Sequence, residues 1–180
     1  MCHVITVSRH IAVFSLMCAT VTGPGVPPVR VHSLSTAGHA GFVDLHNPSP
    51  AAVDLAGWSV ESCSGPARDL LVELPAGTVL PPRGHLRIAG LDRAHDGLPR
   101  VTVAEVAGDG VALLDQRGAL VDRVATAPGS PCRERDAARS CAGTATTPSR
   151  DDNSTDTDDN RADFTCAPHP EDPGGAARSG

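Results

Sequence analysis

An all-β sandwich or barrel is the fold class this sequence predicts, and three observations carry it. Gly and Pro, 18 and 16 of 180 residues, recur at short intervals along the chain. Such punctuation breaks helices and suits short strands joined by turns. Runs alternating apolar and polar residues recur about every 8–12 residues, roughly eight in all, which is the spacing of sandwich and barrel strands. No window sustains a 3.6-residue period, so amphipathic helices are not expected.

The elements follow in order. Val29-Arg30-Val31-His32 alternates as a half-buried strand does, and Phe42-Val43-Asp44-Leu45-His46 is the next run, stopped by the turn chemistry of Asn47-Pro48-Ser49-Pro50. Val53-Asp54-Leu55 continues, Gly57 punctuates, and Trp58-Ser59-Val60-Glu61 alternates again. Trp58, the only Trp, is the large apolar body a sandwich core needs, and its indole N–H then needs a partner. Leu70-Leu71-Val72-Glu73-Leu74 closes at Pro75-Ala76-Gly77, and Thr78-Val79-Leu80 ends at the tight corner Pro81-Pro82-Arg83-Gly84. His85 to Gly90 alternates, Val101-Thr102-Val103 and Glu105-Val106 form a further piece, and Val111–Asp115 with Ala119–Val124 reads as a hairpin about Gln116-Arg117-Gly118. From 127 to 161 large apolar side chains are nearly absent, which predicts a long irregular loop, functional or disordered. Asp163-Phe164-Thr165-Cys166 is a last short strand, and 168–180 a disordered tail.

Composition narrows the function classes. All 15 basic residues are Arg and the net charge is −6, the wrong sign for a nucleic-acid partner, which needs a basic footprint. No apolar run reaches the ~18 residues of a membrane span. Arg9 and His10, the apolar run Ile11–Val21 and a small-residue exit have the plan of a signal peptide, so residues 1–28 are expected to be signal and linker, and the protein secreted or at the cell surface. Of six Cys, Cys2 and Cys18 fall in that segment. The remaining Cys63, Cys132, Cys141 and Cys166 suit a disulfide framework, for which three connectivities exist. The spacing of Cys132 and Cys141 allows a loop-closing bridge, which would leave Cys63 and Cys166 to tie an early strand to the last one.

Several segments together resemble the lamin-tail domain in its exported bacterial versions. They are Phe42 to Pro48, Val53-Asp54-Leu55-Ala56-Gly57-Trp58-Ser59-Val60, Leu74 through Pro81-Pro82-Arg83-Gly84 to Leu86, the hairpin Gly110–Asp115 with Leu120–Val124, and Arg150 followed by Asp156-Thr157-Asp158-Asp159-Asn160 and Asp163-Phe164. The blocks are specific as an ordered set and span about residues 29–170. The resemblance implies an immunoglobulin-like β-sandwich over 29–167 with a long acidic loop near its C-terminus, in a module often attached to other secreted domains. The four cysteines depart from many members of the family.

Catalytic motifs are missing: there is no G-x-S-x-G and no H-E-x-x-H. His32, His46 and His85 sit on strand-like runs and read as solvated strand faces, and a spatial grouping of Ser33, Asp44 and His46 has no support from spacing. The acidic loop 151–160 is the sharpest candidate. Asp156, Asp158 and Asn160 have the 1-3-5 oxygen spacing of a calcium loop, but Arg161 and Ala167 replace the Gly and Glu an EF-hand needs, leaving a looser calcium site. The competing reading is a self-capping turn whose charge Arg150 or Arg161 offsets. The function expected is a non-catalytic extracellular or cell-surface binding or structural module, without cofactor unless calcium, its partner an unidentified extracellular protein or wall polymer. The alternatives are a calcium-stabilised adhesion module and a small secreted hydrolase.

Overall fold

The computed structural model describes residues 28–94, 96–142 and 146–168. The expected signal peptide lies almost wholly outside the described residues, as do residues 169–180 of the expected tail.

Two sheets, antiparallel in every pairing but one, pack face to face. The larger runs β12-β11-β1-β2-β7-β8 and the smaller β10-β9-β4-β5, with β1 at Arg30–Ser35, β2 at Phe42–His46, β4 at Ser59–Ser64, β5 at Ala67–Glu73, β7 at His85–Ala89, β8 at Arg100–Thr102, β9 at Gly110–Leu114, β10 at Leu120–Ala125, β11 at Thr146–Ser149 and β12 at Thr165–Pro168. The pairing β7–β8 is parallel. A two-stranded piece, β3 (Val53–Asp54) with β6 (Val79–Leu80), lies apart from both sheets. The core between the sheets takes Val31, Leu34, Val43, Leu45, Leu86 and Ile88 from the larger sheet and Val60, Val111, Leu113, Val121 and Val124 from the smaller. Within β2, β7 and β9 these residues follow a period of two, as side chains of a strand alternate between faces, while register irregularities in β1 and β10 accompany the three-residue steps Val31–Leu34 and Val121–Val124. Trp58, 4% exposed, packs in this core, and Gly57 before it takes φ 72°, a left-handed turn that glycine adopts without steric cost. The chain is therefore an immunoglobulin-like β-sandwich, the fold class expected from sequence.

The stretch beyond residue 126 departs from the expected loop. Thr146–Ser149 forms β11 between β1 and β12, and Asn160–Asp163 forms a one-turn helix α1 capped by Asp159, whose side chain accepts from the Arg161 N–H. Thr146-Thr147-Pro148-Ser149 has no large apolar side chain, so hydrophobic pattern could not mark it. Main-chain pairing and the Thr147 hydroxyl on the Leu34 carbonyl hold it instead.

Of the three connectivities left open by the sequence, the structure shows Cys63 bonded to Cys132 and Cys141 to Cys166, not the loop-closing Cys132–Cys141 bridge that their spacing allows. Cys63 and Cys132 are both buried, in a second small core with Ala112, Leu114 and Ala125. These residues alternate with the main-core set of β4, β9 and β10, so the segment carrying Cys132 lies against the outer side of the smaller sheet. The bridge thus closes sheet against cover, not one loop on itself.

Candidate functional site

Arg150 is the hub of the acidic C-terminal segment. Its side chain is 0% exposed and lies 3.2 Å from Asp122, 3.3 Å from Asp156, 3.7 Å from Glu134 and 2.8 Å from Asp163. It also donates through Nε to the Val31 carbonyl and through Nη1 to the Thr155 carbonyl, with its guanidinium 4.6 Å from the Phe164 ring centre. The β1 bulge falls between Val31, which stays opposite Leu45, and Ser33, and Asp122 accepts the Val31 N–H at 2.7 Å. Asp122 stands on one sheet and Val31 on the other, so the Arg150–Asp122 pair joins the two layers. Burial pushes Glu134 up to about 8 and Asp122 up to about 6, so the cluster does not carry four full negative charges at neutral pH.

The three residues of the expected calcium site have other partners. Asp156 pairs with Arg30 at 2.8 Å as well as Arg150. Asp158 donates its N–H to Asp156 and takes φ 57°. Asn160 is fully buried; its Oδ1 accepts from the N–H groups of Ala125 and Glu134, and its Nδ2 donates to the Arg123 carbonyl and the Glu134 carboxyl. Asp151 caps Asn153 and Thr155, and Asp163 caps Thr157. The three carboxylates that do converge, within 4.8 Å, are Asp122, Glu134 and Asp156, and the Arg150 guanidinium already lies against all of them. With both lone-pair directions of the Asn160 oxygen in use and an internal cation in place, melting temperature is expected to be the same in millimolar calcium and in chelator. A calcium-induced rise of more than about 2 °C would restore the calcium reading.

A second polar assembly lies on the outer face of the larger sheet. Phe42, Asp44 and His46 of β2 and His85 and Arg87 of β7 occupy the phase opposite the core, and His46 pairs His85 in register. The β1 bulge adds His32 to the same face. The rings of His46 and His85 stack with centres 4.3 Å apart, and His32 meets them edge-on at 5.7 and 5.1 Å. Two chain segments cover this face. The segment after β7 brings Asp96, whose carboxylate takes Arg87 Nη1 at 2.5 Å; the segment after β11 brings Ser154, whose hydroxyl lies 2.9 Å from His32 Nδ1 and 2.8 Å from His46 Nδ1. Asp44 holds His85 Nδ1 at 3.2 Å and Arg87 Nη2 at 3.3 Å. Ser154 takes φ 50°, a strained conformation for serine that the two imidazole bonds help retain.

His46 is therefore not on the solvated strand face expected from sequence, while His32 and His85 are half-buried. His46 is 3% exposed. Burial, then the neighbouring His85 and His32, lowers it to about 4, and burial lowers His32 as well, against the pull of Asp44, Asp152 and Asp151. Ser33, Asp44 and His46 do share this face, Ser33 opposite Asp44 in register. They form no relay: Asp44 bonds His85 and Arg87, His46 bonds Ser154, and the Ser33 hydroxyl has no partner. Between pH 6.5 and 4 the unfolded chain takes up the His46 proton that the folded chain resists, so this group's contribution is present above 6.5 and lost as pH falls. The raised Asp122 and Glu134 act in the opposite sense over an overlapping window, so the measurement is a difference. The gap in melting temperature between wild type and His46→Gln is expected to narrow as pH falls from 6.5 towards 4, and a gap independent of pH would refute the assignment.

The signal that could have found this assembly is weak. Each histidine is one polar residue of an alternating run, and only the register of β1, β2 and β7 brings the three together.

Fold and site define an immunoglobulin-like module, a sandwich whose polar groups join its layers and pin its covering segments. Residues 27–127 match the Lamin Tail Domain family, and the chain belongs to that family. No curated protein matches it. The matched residues hold β1 to β10 and the histidine face, while Arg150, β11, β12 and three of the four bridged cysteines lie beyond them. Among the described residues no helix is long and apolar enough to cross a membrane.

Proposed function

We propose that the chain is an exported binding module of lamin-tail type that acts outside the cell, on a wall polymer or a protein, without catalysis of its own. The observation that supports this is the pair of disulfides, which tie residues beyond the family-matched region back to the sandwich. Such bridges form and persist in oxidising compartments, and the signal-like plan of residues 1–28 agrees with them. Intact mass of the protein from the culture medium, with and without reductant, tests export and oxidation together. The expected result is a chain shortened at its N-terminus whose mass rises by two hydrogens per bridge on reduction. Retention on cell-wall fractions tests the binding. Full-length, unbridged protein confined to the cell interior would overturn the reading.

A further inference from the structure

The smaller sheet ends in a long edge strand that the rest of the protein leaves open. β5 runs for seven residues without a proline and pairs only with β4. Among the described residues, no other segment donates to or accepts from its main chain. The other sheet edges are short or closed. β8 has three residues, and β12 has four and ends in Pro168. On β10, the Asn160 side chain takes the Ala125 N–H and the Arg123 carbonyl, and the Ala138 N–H takes the Ala125 carbonyl. An open edge is a template for a further strand, and proteins commonly cover it or interrupt it with proline. β5 has neither protection, and its Leu70 is 65% exposed.

Register and charge decide which strand fits. β5 bulges between Val72 and Leu70, so Leu71 has no partner of its own on β4. A regular strand laid along this edge would fall out of phase on passing the bulge. A second copy of β5, antiparallel about a two-fold axis between Leu70 and Leu71, brings the same bulge to the same place. That register sets Arg68 of each copy opposite Glu73 of the other. Opposed residues must share a face, and these do: Arg68 and Glu73 stand opposite Cys63 and Ser59, which alternate onto one side of β4. Arg68 is held on that side by Glu61 at 3.3 Å, with its side chain still 42% exposed. Leu70, opposite Glu61, shares the face and meets its own copy beside the axis. A slip of two residues in either direction loses both charge pairs. Opposite charges and apolar pairs across strands are what stabilise a sheet pairing.

We propose that β5 pairs with β5 of a second copy of this chain, joining two four-stranded sheets into one across a two-fold axis with reciprocal Arg68–Glu73 ion pairs. Such an interface is isologous and closes at the dimer. One edge pairing of this length buries less than the roughly 1,000 Å² of a stable interface, so the dissociation constant is expected near ~0.1 mM. The pairing does not depend on what the module binds or where it acts.

Sedimentation velocity of the full disulfide-bonded chain, from about 10 µM to about 1 mM, measures this. Wild type is expected to pass reversibly from monomer to dimer. Glu73→Arg and Arg68→Glu are each expected to weaken the dimer at least about tenfold. Both residues are exposed, so both variants are expected to melt within about 2 °C of wild type. An equimolar mixture of the two variants is expected to dimerise as wild type does. One copy then presents acids at both positions and the other arginines, so each end of the pairing again joins opposite charges. Damage to either fold could not produce that rescue. A wild-type chain monomeric at 1 mM would overturn the proposal and leave the edge to a partner of another sequence. A dimer that survives Glu73→Arg, or a mixture no better than the single variants, would overturn it by placing the contact elsewhere.

Discussion

Replacing Arg150 with Ala is expected to cost the sandwich about 3–5 kcal/mol, the loss seen when one partner of a buried charge pair is removed and the other stays. The reason is what remains. Asp122 and Asp163, with side chains 0% and 2% exposed, would face each other and Asp156 with no internal cation. The Val31 and Thr155 carbonyls would lose a donor, and the Phe164 ring its covering guanidinium. Arg150→Lys is expected to recover only part of the loss. An ammonium restores the charge but cannot reach four acids and two carbonyls on opposite sides as a planar fork does. Urea unfolding of wild type and both variants at constant pH measures this. An Ala variant within about 1 kcal/mol of wild type would mean the acids simply take up protons, as Glu134 already does near pH 8.

Because Arg150 contacts both sheets and α1, its loss is not expected to stay local. Asp122 accepts the Val31 N–H across the sandwich only while Arg150 neutralises it, and Asn160 fixes the Ala125 and Glu134 backbones from the same segment. Amide exchange in Arg150→Ala should therefore rise first at Val31, Ala125 and Glu134.

What the sequence discloses and what it withholds divide along a physical line. Strands rich in large apolar side chains, such as Phe42–His46 and Gly110–Leu114, announce themselves in the sequence, because transfer of apolar surface from water drives their burial, here on both faces. β11 is held by main-chain pairing and small polar groups, which no apolar pattern records. The acidic run 151–160 was legible as a capping or cation-binding segment, since Asp and Asn in such density bond their own backbone. That its cation is a buried arginine two layers deep was not, because Arg150 next to Asp151 reads locally as a solvated pair. The histidine face depends on strand register and a bulge, and disulfide pairing on which distant segments fold back. Both are properties of the third dimension.

Removing the Cys63–Cys132 bridge as the double variant Cys63→Ala, Cys132→Ala is expected to cost more than removing Cys141–Cys166 in the same way. The two half-cystines of the first are separated by 69 residues and of the second by 25, so restoring that freedom to the unfolded chain alone is worth about 4.4 and about 3.5 kcal/mol respectively. Context widens the gap. Cys63 and Cys132 are 0% exposed and their sulfurs fill the small core against Ala112, Leu114 and Ala125, where truncation to Ala also leaves a cavity. Cys166 is exposed on the edge strand β12, where little packs on it. For a domain of this size the first variant is expected to melt about 15 °C below wild type. The same difference in burial orders reduction: mild reductant should open Cys141–Cys166 while Cys63–Cys132 persists, a species distinguishable by alkylation and peptide mass. Simultaneous opening, or greater loss from the Cys141 variant, would show that the cover carrying Cys132 opens readily and that the second core contributes little to holding it.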